Sequence, residues 1–329
     1  MLLTLPLILF IVMTELSVGA FSMLFLLDWR NQVKRNFLVT YAIIYVVLTV
    51  LTVLFQQNFS YPALLDTFTL VDKAWTSYLS LPLLLFLLLM LLYSALLWLD
   101  KRAGVDGKSK KGEEEIVTRR STLRILRLIS GSLTVLSGVV ALFVMGMIFR
   151  PLASTSLAGA LVVGSFFASA LALGGVMTAM WLGHWYLVTP ALSEKPLRFA
   201  TTLVLIGVLA QVVFSFTSGF STVAHSQSSN TVITTNTPGS TPAVSAATPA
   251  SNSQVKPSGA PVVTPLSTDV IGWLRILVAF VLPLVLLGFI LRLIHDRSFQ
   301  SATGMLYLVV VLTLAGEAMA RGLFLAGLQ

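Results

Sequence analysis

The sequence contains a series of long apolar runs, each about the length of a helix that crosses a bilayer. About 20 consecutive apolar residues are needed for such a helix. Only 10% of residues are charged and 56% are hydrophobic, whereas about a quarter of the residues of soluble domains are charged. The sequence therefore predicts an all-α, multi-pass membrane protein with eight transmembrane helices. The predicted spans are 3–27, 37–56, 79–99, 126–149, 157–182, 199–219, 270–294 and 303–325.

Basic residues are concentrated in alternate connections between these runs. The basic connections are 28–36, 100–125, 184–198 and 295–302. The other connections hold little beyond Lys73, Arg150 and Lys256. Because Lys and Arg mark the cytoplasmic side of membrane proteins, the net charge of +8 indicates topology rather than binding to nucleic acid. We expect both termini outside and a location in the cell inner (plasma) membrane.

A tract rich in Ser, Thr, Pro, Ala and Gly covers residues 221–268. Such a tract cannot bury enough apolar surface to offset the entropy of ordering, so it is predicted to be a disordered extracytoplasmic linker. It would divide a six-helix part, residues 1–220, from a two-helix part, residues 269–329. The first apolar run has no basic residues before it, and we expect it to remain as a span rather than be cleaved as a signal peptide.

Predicted helices four and five are rich in small residues. In lipid, small residues at intervals of about four allow helix backbones to approach closely. We therefore expect these two helices to form the tight centre of the bundle. The residues are Ser130, Gly131, Ser132, Gly138, Gly159, Gly164, Ser165, Ala168, Gly174 and Gly175.

Away from their inner ends, the apolar runs contain the charged residues Glu15, Arg275, Glu317 and Arg321. Glu317 and Arg321 are four residues apart, so they share a helix face that must point to protein or water. An ionisable residue within the membrane is a candidate functional group, here for a quinone or a proton. The alternative is a structural ion pair of Glu317 with Arg321 and Arg275 that joins helices seven and eight. Glu15 has no partner nearby in sequence, and a buried carboxyl group suits proton exchange.

Two histidines, His184 and His295, share the predicted inner border of the membrane. A b-type haem in a helical bundle needs two imidazoles at one depth, so this pair is a candidate set of haem ligands. The alternative is that both are ordinary interfacial histidines. The chain has no cysteine, which excludes disulfides and cysteine-ligated iron–sulfur clusters. We find no phosphate-binding loop, catalytic triad or metal-binding spacing.

The last apolar run contains the stretch Leu314 to Phe324, with a Gly–Glu pair at Gly316 and Glu317, Arg321 four residues later and a nearby Phe. This stretch resembles the membrane-anchor subunit of dimethyl sulfoxide reductase and the related polysulfide and nitrite reductase anchors. Weaker similarities lie in the first run and around Arg275 in the seventh.

The resemblance implies an anchor that binds a menaquinol-type quinone near the outer face in anaerobic electron transport. It also implies an iron–sulfur subunit that receives the electrons and a molybdenum-containing catalytic subunit. Some relatives contain haem, whereas others carry no redox cofactor. Two other functions remain open: a small-solute or ion permease that uses the same buried charges, and a non-catalytic membrane assembly protein.

Overall fold

The computed structural model describes residues 5–58, 72–101, 103–104, 122–152, 156–189, 193–228, 273–274 and 276–326. The long helices are α1 (Leu5–Trp29), α2 (Arg35–Asn58), α3 (Ser80–Leu99), α4 (Thr122–Phe149), α5 (Ser156–Val188), α6 (Lys195–Ser228), α7 (Leu282–His295) and α8 (Phe299–Ala326). A short helix, Lys73–Thr76, precedes α3, and a 3-10 turn, Arg150–Leu152, follows α4.

Eight helices in the described part of the chain are long and apolar enough to cross a membrane. The predicted all-α architecture and the predicted number of spans are therefore confirmed, and the chain is a multi-pass membrane protein. The ends of the spans differ from the prediction. The fifth helix, for example, continues past residue 182 to Val188, because most of the residues after 182 are aromatic or aliphatic, His184 being the exception.

Successive helices run in alternate directions, so one end of the bundle collects most of the basic residues that the structure describes. We call it the basic end. It holds the helix ends at Trp29, Arg35, Leu99, Thr122, Val188, Lys195, His295 and Phe299. Here Arg35, at the start of α2, donates hydrogen bonds to the carbonyl oxygens of Trp98 and Asp100 at 2.6 and 3.1 Å. The side chain of Arg35 thus ties the start of α2 to the end of α3.

The centre of the bundle is the contact between α1 and α5. A Cβ atom on Gly19 would lie 1.7 Å from the carbonyl oxygen of Ala170, and one on Gly174 would lie 2.0 Å from the backbone of Gly19 and Ala20. The two backbones therefore touch, as small residues permit in a membrane, where lipid supplies no hydrophobic drive for helix association.

Small residues of the fifth helix thus make a close backbone contact, as predicted, but they make it with α1 rather than with α4. The fourth helix contacts α5 at Gly146, where an added Cβ would lie 2.9 Å from Val163. Its other glycines accept large side chains from α1 and α3: Gly131 lies beside Phe25, and Gly138 lies beside Phe86.

A π-helical turn, Leu277–Val281, leads into α7, and the N–H of Leu282 donates to the carbonyl of Leu277. Pro283 follows at the start of α7. Ala279 in this turn packs against Gly316 of α8, where an added Cβ would lie 2.5 Å from the Cβ of Ala279. The residue after Gly316 is Glu317, so this contact fixes where α8 presents Glu317 to the bundle.

The sixth helix continues to Ser228, into the tract 221–268 that was predicted to be a linker. Residues 229–268 lie outside the described residues. The division into a six-helix part and a two-helix part stays a prediction.

Candidate functional site

Charged and polar side chains from four helices meet inside the bundle. Glu15 comes from α1, Ser169 from α5 and Gln211 from α6, whereas Glu317 and Arg321 come from α8. We call these five residues the Arg321 cluster. At about 1.5 Å rise per residue, Glu15 lies about 15 Å from the start of α1 and Glu317 about 13 Å from the end of α8. The two carboxyl groups are therefore at similar depth, in the half of the bundle away from the basic end.

Arg321 is the centre of this cluster. Its Nη2 donates to Oε1 of Glu15, and its Nε lies 2.9 Å from Oε1 of Glu317. The guanidinium carbon also lies 4.0 Å from the centre of the Phe166 ring. Glu15 is 0%, Glu317 7% and Arg321 5% exposed. The pairing and the aromatic contact together offset part of the cost of taking the charges out of water.

Gln211 and Ser169 form a second connection between the carboxyl groups of Glu15 and Glu317, in addition to Arg321. Nε2 of Gln211 lies 2.9 Å from Oε2 of Glu317 and 2.9 Å from Oγ of Ser169. Ser169 lies beside Glu15 in turn. The second oxygen of Glu15, Oε2, is buried and has no hydrogen-bond partner among the described residues. The five side chains thus surround a compact polar site in an apolar bundle.

Three of the four candidate charges are brought together in this cluster. Glu317 and Arg321 form the expected pair on one helix face, and that face is buried in protein. Glu15, which had no partner nearby in sequence, pairs with Arg321. The fourth candidate, Arg275, lies outside the described residues, as does its proposed pairing with Glu317. Arg321 therefore joins α8 to α1.

The two histidines of the haem hypothesis are exposed at the ends of their helices. His184 on α5 is exposed, and its Nδ1 lies 3.4 Å from the hydroxyl oxygen of Tyr307 on α8. His295 is the last residue of α7 and is also exposed. Both positions also suit interfacial histidines.

A second buried cluster lies at the basic end, and no pattern in the sequence predicted it. Arg127 on α4 donates to Asp100 at 2.7 Å and to Asp28 at 3.0 Å. The hydroxyl of Tyr93 donates to the other oxygen of Asp28 at 2.9 Å. We call Asp28, Tyr93, Asp100 and Arg127 the Arg127 cluster; it joins α1, α3 and α4. The charge of Arg124, which is exposed one turn earlier on α4, also acts on Asp28.

Among the residues of the two clusters that were not predicted, some have a recognisable signal in the sequence and others have none. Gln211 is an amide within an apolar span, which is a detectable signal because an unpaired amide in lipid is costly. Ser169 is one of many small residues on α5 and carries no such signal. Asp28 and Asp100 lie at span borders, where charged residues are common, so only their convergence on Arg127 distinguishes them.

The chemistry available to the Arg321 cluster follows from its groups. Two carboxyl groups can take or release protons, and the guanidinium and amide groups can donate hydrogen bonds. Such groups in a largely apolar surrounding can orient a ligand with carbonyl or hydroxyl oxygens. No family model, curated protein or solved structure matches the chain.

Proposed function

We propose that the chain is the quinone- or quinol-interacting membrane anchor subunit of a respiratory oxidoreductase complex, passing electrons to an iron–sulfur partner. The observation that carries this proposal is the Arg321 cluster, in which Arg321 holds the carboxyl groups of Glu15 and Glu317 within the membrane-spanning bundle. Glu317 and Arg321 also belong to the stretch that resembles the anchors of dimethyl sulfoxide reductase and its relatives.

The groups in the cluster fit the requirements of a quinone head group. Such a ligand needs a hydrogen-bond donor for its oxygens and a carboxylate that can accept a proton. Arg321 and Gln211 can donate, and Glu15 and Glu317 can accept. Gln211 is only partly buried, and Leu209 and Val213 on the same helix are exposed at 46% and 58%, so an apolar approach from lipid lies beside it.

Electrons have to leave this chain through a partner. A quinol that becomes a quinone gives up two electrons and two protons. The chain has no cysteine, so a cysteine-ligated iron–sulfur cluster has to belong to another subunit. In our proposal that subunit delivers the electrons to a molybdenum-containing catalytic subunit.

The proposed orientation places the basic end in the cytoplasm and both termini outside. Its support is the concentration of Lys and Arg at that end. The Arg321 cluster would then lie in the outer half of the cell inner (plasma) membrane, where the resemblance places the quinone. Haem b is not part of the proposal, because His184 and His295 are both exposed at helix ends.

A small-solute or ion permease is the second candidate. The observation that favours it is the π-helical turn Leu277–Val281, which interrupts regular α-helix geometry beside Gly316. Interrupted helices at buried charges are a feature of transporters. A non-catalytic assembly protein remains the third alternative.

Quinone binding can be measured directly on the full-length protein in lipid nanodiscs. Menaquinone with a short isoprenoid tail is titrated, and quenching of tryptophan fluorescence is followed. We expect saturable binding that Glu317→Gln weakens by about tenfold or more, since tenfold corresponds to about 1.4 kcal/mol, the order of one hydrogen bond to a charged group. Arg292→Gln, which changes an exposed arginine, is the matched control and should bind as wild type does.

Absence of saturable binding to the wild-type protein would reject the quinone function. Uptake of solutes or ions by proteoliposomes would then test the permease. Affinity purification from native membranes, followed by iron and molybdenum analysis of the co-purified proteins, tests the proposed partners. A preparation in which no iron-containing subunit co-purifies would contradict that part of the proposal.

A further inference from the structure

Each buried cluster sets two carboxyl groups against one buried guanidinium, but the surroundings of the two clusters differ. At the basic end, the charge of the exposed Arg124, one turn from Arg127, also acts on Asp28. In the Arg321 cluster, the charges that act on Glu15 among the described residues are those of Arg321 and Glu317. Two carboxylates there share one guanidinium, which leaves one excess negative charge if both are ionised.

An uncompensated charge in the membrane-spanning part of a bundle is expensive. Ser169 and Gln211, the other members of the cluster, are neutral. The other buried charged residues in the described part of the chain, Asp28, Asp100 and Arg127, belong to the cluster at the basic end. One proton bound to a carboxyl group would make the cluster neutral.

The geometry distinguishes the two carboxyl groups. Both oxygens of Glu317 have polar contacts: Oε2 accepts from Nε2 of Gln211 at 2.9 Å, and Oε1 forms an ion pair with Arg321, 2.9 Å from its Nε, although that N–H makes no hydrogen bond to a described residue. These contacts suit an ionised carboxylate, which only accepts hydrogen bonds. Glu15 has Arg321 on Oε1, whereas its Oε2 is buried without a hydrogen-bond partner among the described residues.

We propose that Glu15 is the proton-exchange site of this protein, with Glu317 as the fixed anion that holds Arg321 in place. The proton resides on the otherwise unpartnered Oε2 of Glu15. On release, the O–H bond of the carboxyl group breaks, its electron pair stays on the carboxylate, and a water molecule outside the cluster accepts the proton. This inference concerns the site of the proposed function, but it does not depend on quinone binding.

Ser169 and Gln211 are positioning residues for this exchange. The amide of Gln211 donates to both Ser169 and Glu317, so the Ser169 oxygen accepts from Gln211 and its own hydrogen remains free to turn. When Glu15 is ionised, the hydroxyl of Ser169 can rotate to donate to it, and when Glu15 is protonated it can accept. Ser169 can therefore stabilise both protonation states of Glu15.

Infrared spectroscopy of the full-length protein in nanodiscs tests this assignment. We expect the wild-type protein near neutral pH to show the carbonyl stretch of one protonated carboxyl group that shifts in heavy water. Glu15→Gln should remove this band. Glu317→Gln should remove it too, because one carboxylate and one guanidinium then balance. Asp28→Asn, which changes the other cluster, should leave it in place.

The residue that carries the proton is identified by variants that keep the charge. Glu15→Asp should move the band, whereas Glu317→Asp should not. If Glu15→Asp does not fold, the Glu317→Asp variant can identify the protonated residue by itself when it is produced with carbon-13-labelled glutamate. The label shifts the band if the proton is on Glu15 and leaves it unshifted if the proton is on the substituted carboxyl group, which would overturn the assignment.

Two other results would also overturn the proposal. One is a wild-type spectrum without a protonated carboxyl band. If that band then appears in Arg275→Gln, Arg275 supplies the missing positive charge and no proton is required. The other is a band that persists in Glu15→Gln. Because no quinone is added, these results are independent of menaquinone binding, so each proposal can fail without the other.

Discussion

Arg321 on α8 donates a buried hydrogen bond to Glu15 on α1, although the two residues are 306 positions apart in the chain. The same guanidinium pairs with Glu317 one turn earlier on its own helix. This arrangement closes the last helix onto the first. It also places the two carboxyl groups of the Arg321 cluster on either side of one positive charge, and this placement leads to the first prediction.

Removal of Arg321 should destabilise the bundle strongly. Arg321→Gln leaves two carboxyl groups buried without their cation, and breaking a buried pair in this way costs about 3 to 5 kcal/mol. The free energy of unfolding in a detergent titration measures this cost. The variant with Glu15→Gln, Glu317→Gln and Arg321→Met together should recover most of the loss, because no buried charge remains. A triple variant as unstable as Arg321→Gln alone would contradict the charge argument.

The Arg127 cluster should behave as a structural lock of the basic end. Arg127→Gln removes the guanidinium that pairs with Asp28 and Asp100, and it should also lower the unfolding free energy by about 3 to 5 kcal/mol. Tyr93→Phe removes one hydrogen bond to Asp28 and should cost about 1.5 to 3 kcal/mol. Arg198→Gln, which changes an exposed arginine at the same end, is the control.

The distance between the clusters provides a further check on Arg127→Gln. Asp28 lies about 20 Å from Glu15 along α1, at about 1.5 Å per residue. Where the protein stays folded, its affinity for menaquinone should therefore equal that of the wild-type protein. A selective loss of quinone affinity with normal stability would show that the two clusters act together.

The close contact of α1 with α5 should not tolerate a methyl group. In Gly174→Ala, the added Cβ would lie 2.0 Å from backbone atoms of α1, which cannot move aside as a side chain can. Overpacking typically costs about 1 to 3 kcal/mol, and more where the backbone has to shift. Gly288→Ala on α7, which has nothing within 4 Å of the added atom, should be as stable as wild type. Equal melting temperatures for the two variants would contradict this account.

Gly316→Ala should separate α7 from α8 and displace Glu317. The added Cβ would lie 2.5 Å from Ala279 in the π-helical turn. Because the chain has no cysteine, spin labels can be placed at Val285→Cys and Leu308→Cys, two exposed positions on these helices. The distance between the labels should increase in Gly316→Ala and stay unchanged in Gly304→Ala, whose added atom meets nothing within 4 Å. If Gly316→Ala leaves the distance between the labels unchanged, the π-helical turn has moved to accommodate the methyl group, and the predicted separation of α7 from α8 is wrong.

The number and type of helices could be read from the sequence because each span carries its own signal. A helix satisfies its backbone hydrogen bonds internally, so in lipid a run of apolar residues is sufficient to specify a span. The pair Glu317 and Arg321 could be read for the same reason, since both lie on one face of one helix. The boundaries were less accurate, as at Val188, because apolar residues continue beyond the length that a bilayer requires.

The helix that packs closely against α5 and the residue that pairs with Glu15 could not be predicted from the sequence. Gly19 and Gly174 look like any other small residues until the two backbones are brought together. Glu15 was an isolated carboxyl group in sequence, and its pairing depends on how α8 returns to α1. Asp28, Asp100 and Arg127 lie near the ends of predicted spans, where charged residues are common, and only the packing of α1, α3 and α4 joins them.

The sequence by itself determined that this chain forms apolar helices that cross a membrane and that a few charges must be hidden from lipid. These are local properties, set by the chemistry of the side chains and the repeat of a single helix. The tertiary structure decided which charges meet: Arg321 with Glu15 and Glu317, and Arg127 with Asp28 and Asp100. That choice depends on the helix contacts made by glycines, which fix the depth and rotation of each helix against its neighbours.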